Sequence, residues 1–218
     1  LLARVPEAMW VDALGADAEP TFSSAMAAAS VVVLGPGLGR GAWAQQVIGA
    51  LASYDGPLVI DADGLYWLAD KAQARTLKNC GAPLFLTPHA GEAARLLECS
   101  ISEILNNPRQ AVIDMTVRFN ATCLLKGPGT VIGTRMGQAI CAHGNPGMAS
   151  AGMGDVLAGL VGSLIAQQPS SPDLAFTAGV LLHSAAADQA AEKIGMRGIT
   201  ASFIIAHIAA LLREQRSV

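Results

Sequence analysis

PLFLTPHAGEAARLLE, residues 83–98, reads as a strand, a turn and a helix in immediate succession. PLFL (83–86) is an unbroken apolar run, and TPHAGE (87–92) is polar with a proline to turn the chain. EAARLLE (92–98) then returns to helical spacing. The same order recurs on both sides. VVVL (31–34) stops at GPGLG (35–39) and leads into the helical stretch GAWAQQVIGALASY (41–54). PLVI (57–60) stops at DADG (61–64), and ATCLL (121–125) stops at KGPGT (126–130). Strands that are apolar throughout, interleaved with helices, belong in a parallel sheet buried on both faces. The chain therefore reads as α/β, with a mostly parallel central sheet flanked by helices.

The remaining segments fit that frame. Pro108 suits the first position of a helix whose body, QAVIDMTVRF, carries an apolar stripe. TVIGT and QAICA flank Met136-Gly137, which predicts an antiparallel hairpin near the end of the sheet. NPGMASAGMGD (145–155) is a loop of small residues, with a helix expected from about Asp155 and two more from near Ser171-Pro172 and Thr200.

Composition narrows the function classes. The 218 residues are 52% hydrophobic and 14% charged, which excludes disorder and suits one large domain. A net charge of −3 leaves no basic footprint for nucleic acid. Mean hydropathy is +0.42, yet the longest apolar runs, VLAGLVGSLIA (156–166) and FIIAHIAALL (203–212), are shorter than the roughly 20 residues of a membrane span. Both read as buried helices, so no membrane partner is expected. Cys80, Cys99, Cys123 and Cys141 form no CxxC pair, and free buried thiols are expected rather than zinc. With no signal peptide at the start, the expected location is the cytoplasm.

In an open α/β sheet, ligands bind beyond the carboxyl ends of the strands. GPGLG, DADG, TPHAGE and KGPGT all fall there, so one site assembled from these ends is the economical reading. GPGLG lacks both the third glycine of a dinucleotide fingerprint and the lysine of a phosphate-binding loop. It is either a turn needing positive φ or a close backbone approach to a ligand. Asp61 and Asp63, alternate residues expected to point the same way, would bind Mg²⁺, bind a hydroxylated substrate or cap the next helix. His89 and Glu92 stand three apart at a helix start, and Lys126 at a strand exit suggests an anionic partner.

GMASAGMGD (147–155) is the most specific segment. Its small residues let the amides of Ala151, Gly152, Met153 and Gly154 converge at a helix start, where the dipole favours an anion. Asp155 beside such a hole is either a helix cap or the base that takes a hydroxyl proton during phosphoryl transfer.

AGMGDVLAGLVG (151–162) resembles the GxGD signature of ribokinase-like kinases, and TPHAGE resembles their TPNxxE segment with His89 in place of Asn. VVLGPGLGR, VIDADGL, LTPHAGEAARLL, LLKGPGTVI and NPGMASAGMGDVLAG together are similar to the ADP/ATP-dependent NAD(P)H-hydrate dehydratases, in the family's order from about Pro6 onward. The resemblance implies a ribokinase-like three-layer sandwich over residues 1–218, lacking the family's N-terminal strands and helix, since the chain opens LLARVPEAMW without an initiating Met. It implies repair of NADH and NADPH hydrated at nicotinamide C6, with ADP as phosphoryl donor and Mg²⁺ as cofactor. Asp155 would be the base. Lys126, Gly127, Pro128, Gly129, Thr130 and Gly154 would contact the AMP part of the nucleotide; Gly39, His89 and Asp155 would contact the hydrated dinucleotide. Glu92, supported by Asp61, Asp63 and Asn145, would help to hold Mg²⁺ or substrate. Family members assemble, frequently as tetramers, and are often fused to a hydrate epimerase; the apolar composition also suits a homo-oligomer. The nearest alternative is an ATP-dependent vitamin or sugar kinase of the same fold.

Overall fold

The computed structural model describes residues 18–79 and 81–214, together with Val5, Glu7, Ala8, Met9 and Val11. Cys80 lies outside the described residues; Cys123 and Cys141 are buried free thiols and Cys99 is half-buried.

Each apolar run becomes a strand. β1 (Val32–Leu34), β2 (Leu58–Ile60), β3 (Leu84–Leu86) and β4 (Ala121–Leu125) pair side by side and parallel, with Leu34, Ile60, Leu86 and Cys123 in one row. β5 (Val131–Thr134) and β6 (Gly137–Ile140) then add antiparallel strands, giving a six-stranded sheet in the order β1 to β6. The expected hairpin is present, with Arg135-Met136 as its turn and Gly137 at φ +140° opening the return strand.

Helices fill the connections: α1 (Ala18–Ala28) before β1, α2 (Ala42–Ala50) after it, then α3 (Ala62–Ala69) and α4 (Lys71–Asn79). α5 (Ala90–Leu97), α6 (Ile101–Asn106) and α7 (Pro108–Phe119) lie between β3 and β4. Consecutive parallel strands joined by crossovers of one hand place the connecting helices on one face of the sheet. Burial agrees: Leu58 and Ile60 pack into the same cluster as Ile48, Leu65, Leu96 and Val112. Val59, pointing the other way by the two-residue period of a strand, packs with Val161, Ile165 and Phe176. These come from α8 (Met153–Gln167) and α9 (Pro172–Ile194), which cover the second face, with α10 (Ala201–Glu214) packed outside them. Phe85 of β3 meets Phe176 of α9 with ring centroids 5.6 Å apart. The result is helices, sheet and helices in three layers. Among the described residues no helix is long and apolar enough to cross a membrane.

Because the parallel strands are in register, their carboxyl ends share one edge of the sheet. An isolated parallel bridge between His89 and Lys126, with Lys126 N–H donating to Pro88 C=O at 2.8 Å, extends that alignment into the turns.

Candidate active site

Two glycines fit the first turns together. A β-carbon on Gly35 would stand 1.7 Å from the Asp61 carbonyl oxygen, and one on Gly64 would stand 2.6 Å from the Leu34 carbonyl oxygen. GPGLG and DADG therefore pack backbone on backbone, which only a missing side chain allows. Asp61, just after β2, is buried, and Ala62 follows at φ +47°. The chain then switches from strand to helix, so Asp61 and Asp63 part company instead of facing one way as expected. Asp61 occupies the cap position of α3 without capping it with its side chain.

Its carboxylate is spent on Lys126. Nζ of Lys126 lies 2.7 Å from Asp61 Oδ1 and 3.8 Å from Glu92 Oε2. The lysine at the exit of β4 thus finds its counter-charge inside the protein, where the sequence suggested an external anion. Two carboxylates against one ammonium leave the cluster free to accept a phosphate only through Lys126 and neighbouring amides. The α8 start supplies those amides: a β-carbon on Gly154 would lie 3.4 Å from both Asp61 Oδ2 and Lys126 Nζ.

α8 begins at Met153, two residues before the expected start, with Gly152 as its cap at φ +83°. Gly152 is favoured by that left-handed conformation, and Gly154 sets the helix start directly against Asp61 and Lys126. The first intrahelical bond runs from Val156 N–H to Gly152 C=O, so the amides of Gly154 and Asp155 precede the ladder. Asp155 is the third helical residue rather than the cap, and it is exposed.

His89 caps α5. Its Nδ1 accepts N–H from Gly91 at 3.0 Å and from Glu92 at 3.3 Å, while Glu92 Oε2 accepts His89 N–H at 2.8 Å. This reciprocal box gives His89 the capping work that an Asn would do. These bonds leave the ring hydrogen of neutral His89 on Nε2, 3.4 Å from Glu92 Oε1; the His89 side chain is 60% exposed.

The other expected residues lie around this centre. Gly127, Pro128, Gly129 and Thr130 form the turn from β4 to β5, closed by Thr130 Oγ1 donating to Gly127 C=O at 3.2 Å. Asp63 holds Gly39 N–H through Oδ2 and Arg40 Nε through Oδ1, both at 3.0 Å. Asn145 is drawn elsewhere. Both its amide hydrogens go to α9, to Ala187 C=O and Asp188 Oδ1 at 3.0 Å, and its Oδ1 accepts Gly147 N–H. It secures the 144–148 loop instead of meeting Lys126. Asp188 also accepts Gly144 N–H, and its hydrogen bonds and His143 hold its pKa below the ordinary carboxylate value against the opposing effect of burial.

No group of three His, Cys, Asp or Glu side chains among the described residues is arranged to cage a metal. Mg²⁺ ordinarily takes one or two carboxylates plus substrate phosphates. The donor set here, Glu92 and Asp61 around Lys126, fits an ion carried by a polyphosphate better than a resident one.

Several contributors were not singled out in the sequence: Arg40, Tyr66 and Arg95 beside Gly39, Asp188 behind Asn145, and His183 of α9. His183 is buried and hydrogen-bonded to the Met153 backbone; burial pushes its imidazole down to about 4. Its signal was a histidine interrupting an apolar helix. A cavity of about 250 Å³ beside β1 is lined by apolar residues such as Phe22, Val33 and Trp43, with no ionisable side chain to perform chemistry.

A mostly parallel sheet between two helical layers, with glycine-rich turns gathered at the strands' carboxyl ends, defines a ribokinase-like fold. Solved structures agree: a ribokinase-like superfamily protein from Enterococcus faecalis matches with a TM-score of 0.78 at 28% identity, over 97% of this chain and 72% of that one. The ADP/ATP-dependent NAD(P)H-hydrate dehydratase from Bacillus subtilis, co-crystallised with ATP and Mg²⁺ and soaked with CoA, shares the fold with a TM-score of 0.80 at 22% identity, over 98% and 76%.

The family model described as NAD(P)H-hydrate dehydratase matches residues 1–210, and the chain belongs to that family. The Bifunctional NAD(P)H-hydrate repair enzyme Nnr of Coxiella burnetii is 42% identical over 188 residues, covering 86% of this chain. The match spans 37% of that relative's length.

Proposed function

We propose that this chain dehydrates hydrated NADH and NADPH at the expense of ADP. The observation that carries the reading is the meeting of the α8 start with Lys126 and Asp61, with exposed Asp155 next in the chain. Asp155 takes the proton of the C6 hydroxyl as its oxygen attacks the terminal phosphorus of ADP, and AMP departs. Amides of residues 151–155 and the Lys126 ammonium stabilise the charge on the transferring group. The ring nitrogen then expels phosphate from C6, and loss of a proton from the adjacent ring carbon restores the double bond. Hydroxide leaves poorly from that carbon; phosphate leaves well.

Lys126, the 127–130 turn and Gly154 would hold the nucleotide. Gly39 and the Nε2–H of His89 would face the dinucleotide. Mg²⁺, held by Glu92 through water and by the nucleotide phosphates, would neutralise phosphoryl charge. The relatives' names, bifunctional repair enzymes, support a second activity such as a hydrate epimerase working alongside this one.

Incubation with hydrated NADH and ADP should restore the absorbance of the reduced nicotinamide and release AMP and phosphate. A kinase acting on a vitamin or sugar would leave a stable phosphorylated product and no such recovery. That result, or no recovery with either ADP or ATP, would overturn the reading.

A further inference from the structure

Beside Gly39 the surface carries two guanidinium groups on one aromatic ring. Arg40, from the turn after β1, sits 4.1 Å above the centroid of Tyr66 on α3, and Arg95 of α5 sits 5.1 Å from the same centroid. Tyr66 is steadied edge-on by Trp67, whose indole N–H donates to Gly39 C=O at 3.0 Å. Asp63 pairs with Arg40 at 3.0 Å, but among the described residues Arg95 has no ion pair. Two cations and one carboxylate thus share a half-exposed ring.

Stacking occupies the face of a guanidinium and leaves its N–H edge for a phosphate. That edge of Arg95 pairs with no carboxylate among the described residues, and Arg40, whose Nε donates to Asp63, keeps its terminal N–H groups. Arg95 also lies three residues beyond Glu92, so both stand on one side of α5 about 4.5 Å apart along its axis. Glu92 in turn is 3.8 Å from Lys126 Nζ. Arg95 therefore stands one turn of α5 beyond the carboxylate that neighbours Lys126, and Arg40 directly follows Gly39 in the chain. A ligand whose ring reacts at Asp155 and whose own phosphates trail toward Gly39 would bring an anion there.

We propose that Arg40 and Arg95, stacked on Tyr66, form a subsite for a phosphate of the dinucleotide substrate, separate from the hole that receives the nucleotide's phosphoryl group. This rests on the dehydratase reading for its ligand. The phosphate is either the bridging pyrophosphate, present in both dinucleotides, or the additional 2′-phosphate of the NADPH form.

The test measures KM for hydrated NADH, hydrated NADPH and ADP, with kcat, in the wild type and in Arg95→Ala, Arg95→Lys and Arg40→Ala. Titration of the wild type and Arg95→Ala with the products NADH and NADPH, followed by nicotinamide fluorescence, supplies a readout that needs no turnover. Arg95→Ala should raise KM for the dinucleotide about tenfold or more, the scale of a lost charge-assisted hydrogen bond. KM for ADP and kcat should stay within about twofold. Arg95→Lys, keeping charge without the fork, should recover only part of the loss. A rise for both dinucleotides assigns the pyrophosphate; a rise for the NADPH form alone assigns the 2′-phosphate. Unchanged dinucleotide KM and product affinity in Arg95→Ala and Arg40→Ala would overturn the subsite, as would a rise confined to ADP. Absence of dehydration by the wild type would count against the dehydratase reading, while the product titrations would still judge the arginines.

Discussion

In the mechanism we propose, Asp155 and Lys126 carry the chemistry at the scale of single residues, and their surroundings predict opposite consequences of removing them. Asp155 is exposed, so Asp155→Asn should leave the melting temperature within about 2 °C. In the proposed mechanism the same change removes the general base, and it should lower kcat by about 10²–10⁴-fold. Thermal melts and initial rates on one preparation check both halves, and near-normal turnover would remove Asp155 from its role. Lys126 differs because Asp61 beneath it is only 1% exposed. Lys126→Met strands a buried carboxylate, and breaking such a pair costs about 3 kcal/mol. Urea denaturation should show that loss, and a second change, Asp61→Asn, should recover much of it without restoring activity. The motif around each residue was legible in the sequence; the pairing was not. Asp61 and Lys126 are 65 positions apart, and nothing in DADG or KGPGT says that one answers the other. The three-residue spacing of His89 and Glu92 at a helix start is local information and was read, but the capping box that the two form was not.

Elements were legible where the pattern was continuous. β4 matches ATCLL residue for residue, and the apolar runs at 31–34, 57–60 and 83–86 each lose only one residue to the strand observed. Pro108 opens α7 as expected. α4, KAQARTLKN, escaped notice because it is polar along most of its length and has no long apolar stripe. The start of α8 was misplaced by two residues for a different reason: Gly152 caps it in the left-handed region, a conformation its letter permits but does not announce. That geometry makes a prediction at the scale of the element. Gly152→Ala would force a side chain to φ +83° and bring its β-carbon 3.2 Å from Ala201 Cβ. The left-handed conformation alone costs about 1–2 kcal/mol. The melting temperature should fall by several degrees and kcat should fall with it, since the anion hole we propose is built from the same backbone. Gly152→Asn, which tolerates left-handed φ better, should lose less of both. Equal losses in the two variants would point to crowding against α10 rather than to the backbone.

The whole molecule joins the site to its stability through α9. His183 lies in the second helical layer, 3% exposed, and its ring hydrogen-bonds to the backbone of Met153 at the first turn of α8. One ring nitrogen, Nε2, is buried without a partner, so protonation would put a charge where no acceptor waits. Burial brings the imidazole from 6.5 to about 4 in the folded protein. The unfolded chain therefore binds more protons than the native one between those values, and stability must decrease as pH falls through that window. Above pH 6.5 the His183 contribution is complete; below pH 4 it is gone, with a full span of about 3 kcal/mol. Asp188, held below the ordinary carboxylate value, loses its own contribution at still lower pH, as the unfolded carboxylate titrates first and the native one last. Urea denaturation at pH 7, 5.5 and 4.5 should show the wild type weakening across the histidine window. His183→Gln, which has an amide donor but nothing to titrate there, should show a flatter dependence, whatever its stability at pH 7. Parallel curves for the two proteins between pH 6.5 and 4 would mean that the buried ring does not titrate as its surroundings require, and that some other group sets the acid sensitivity.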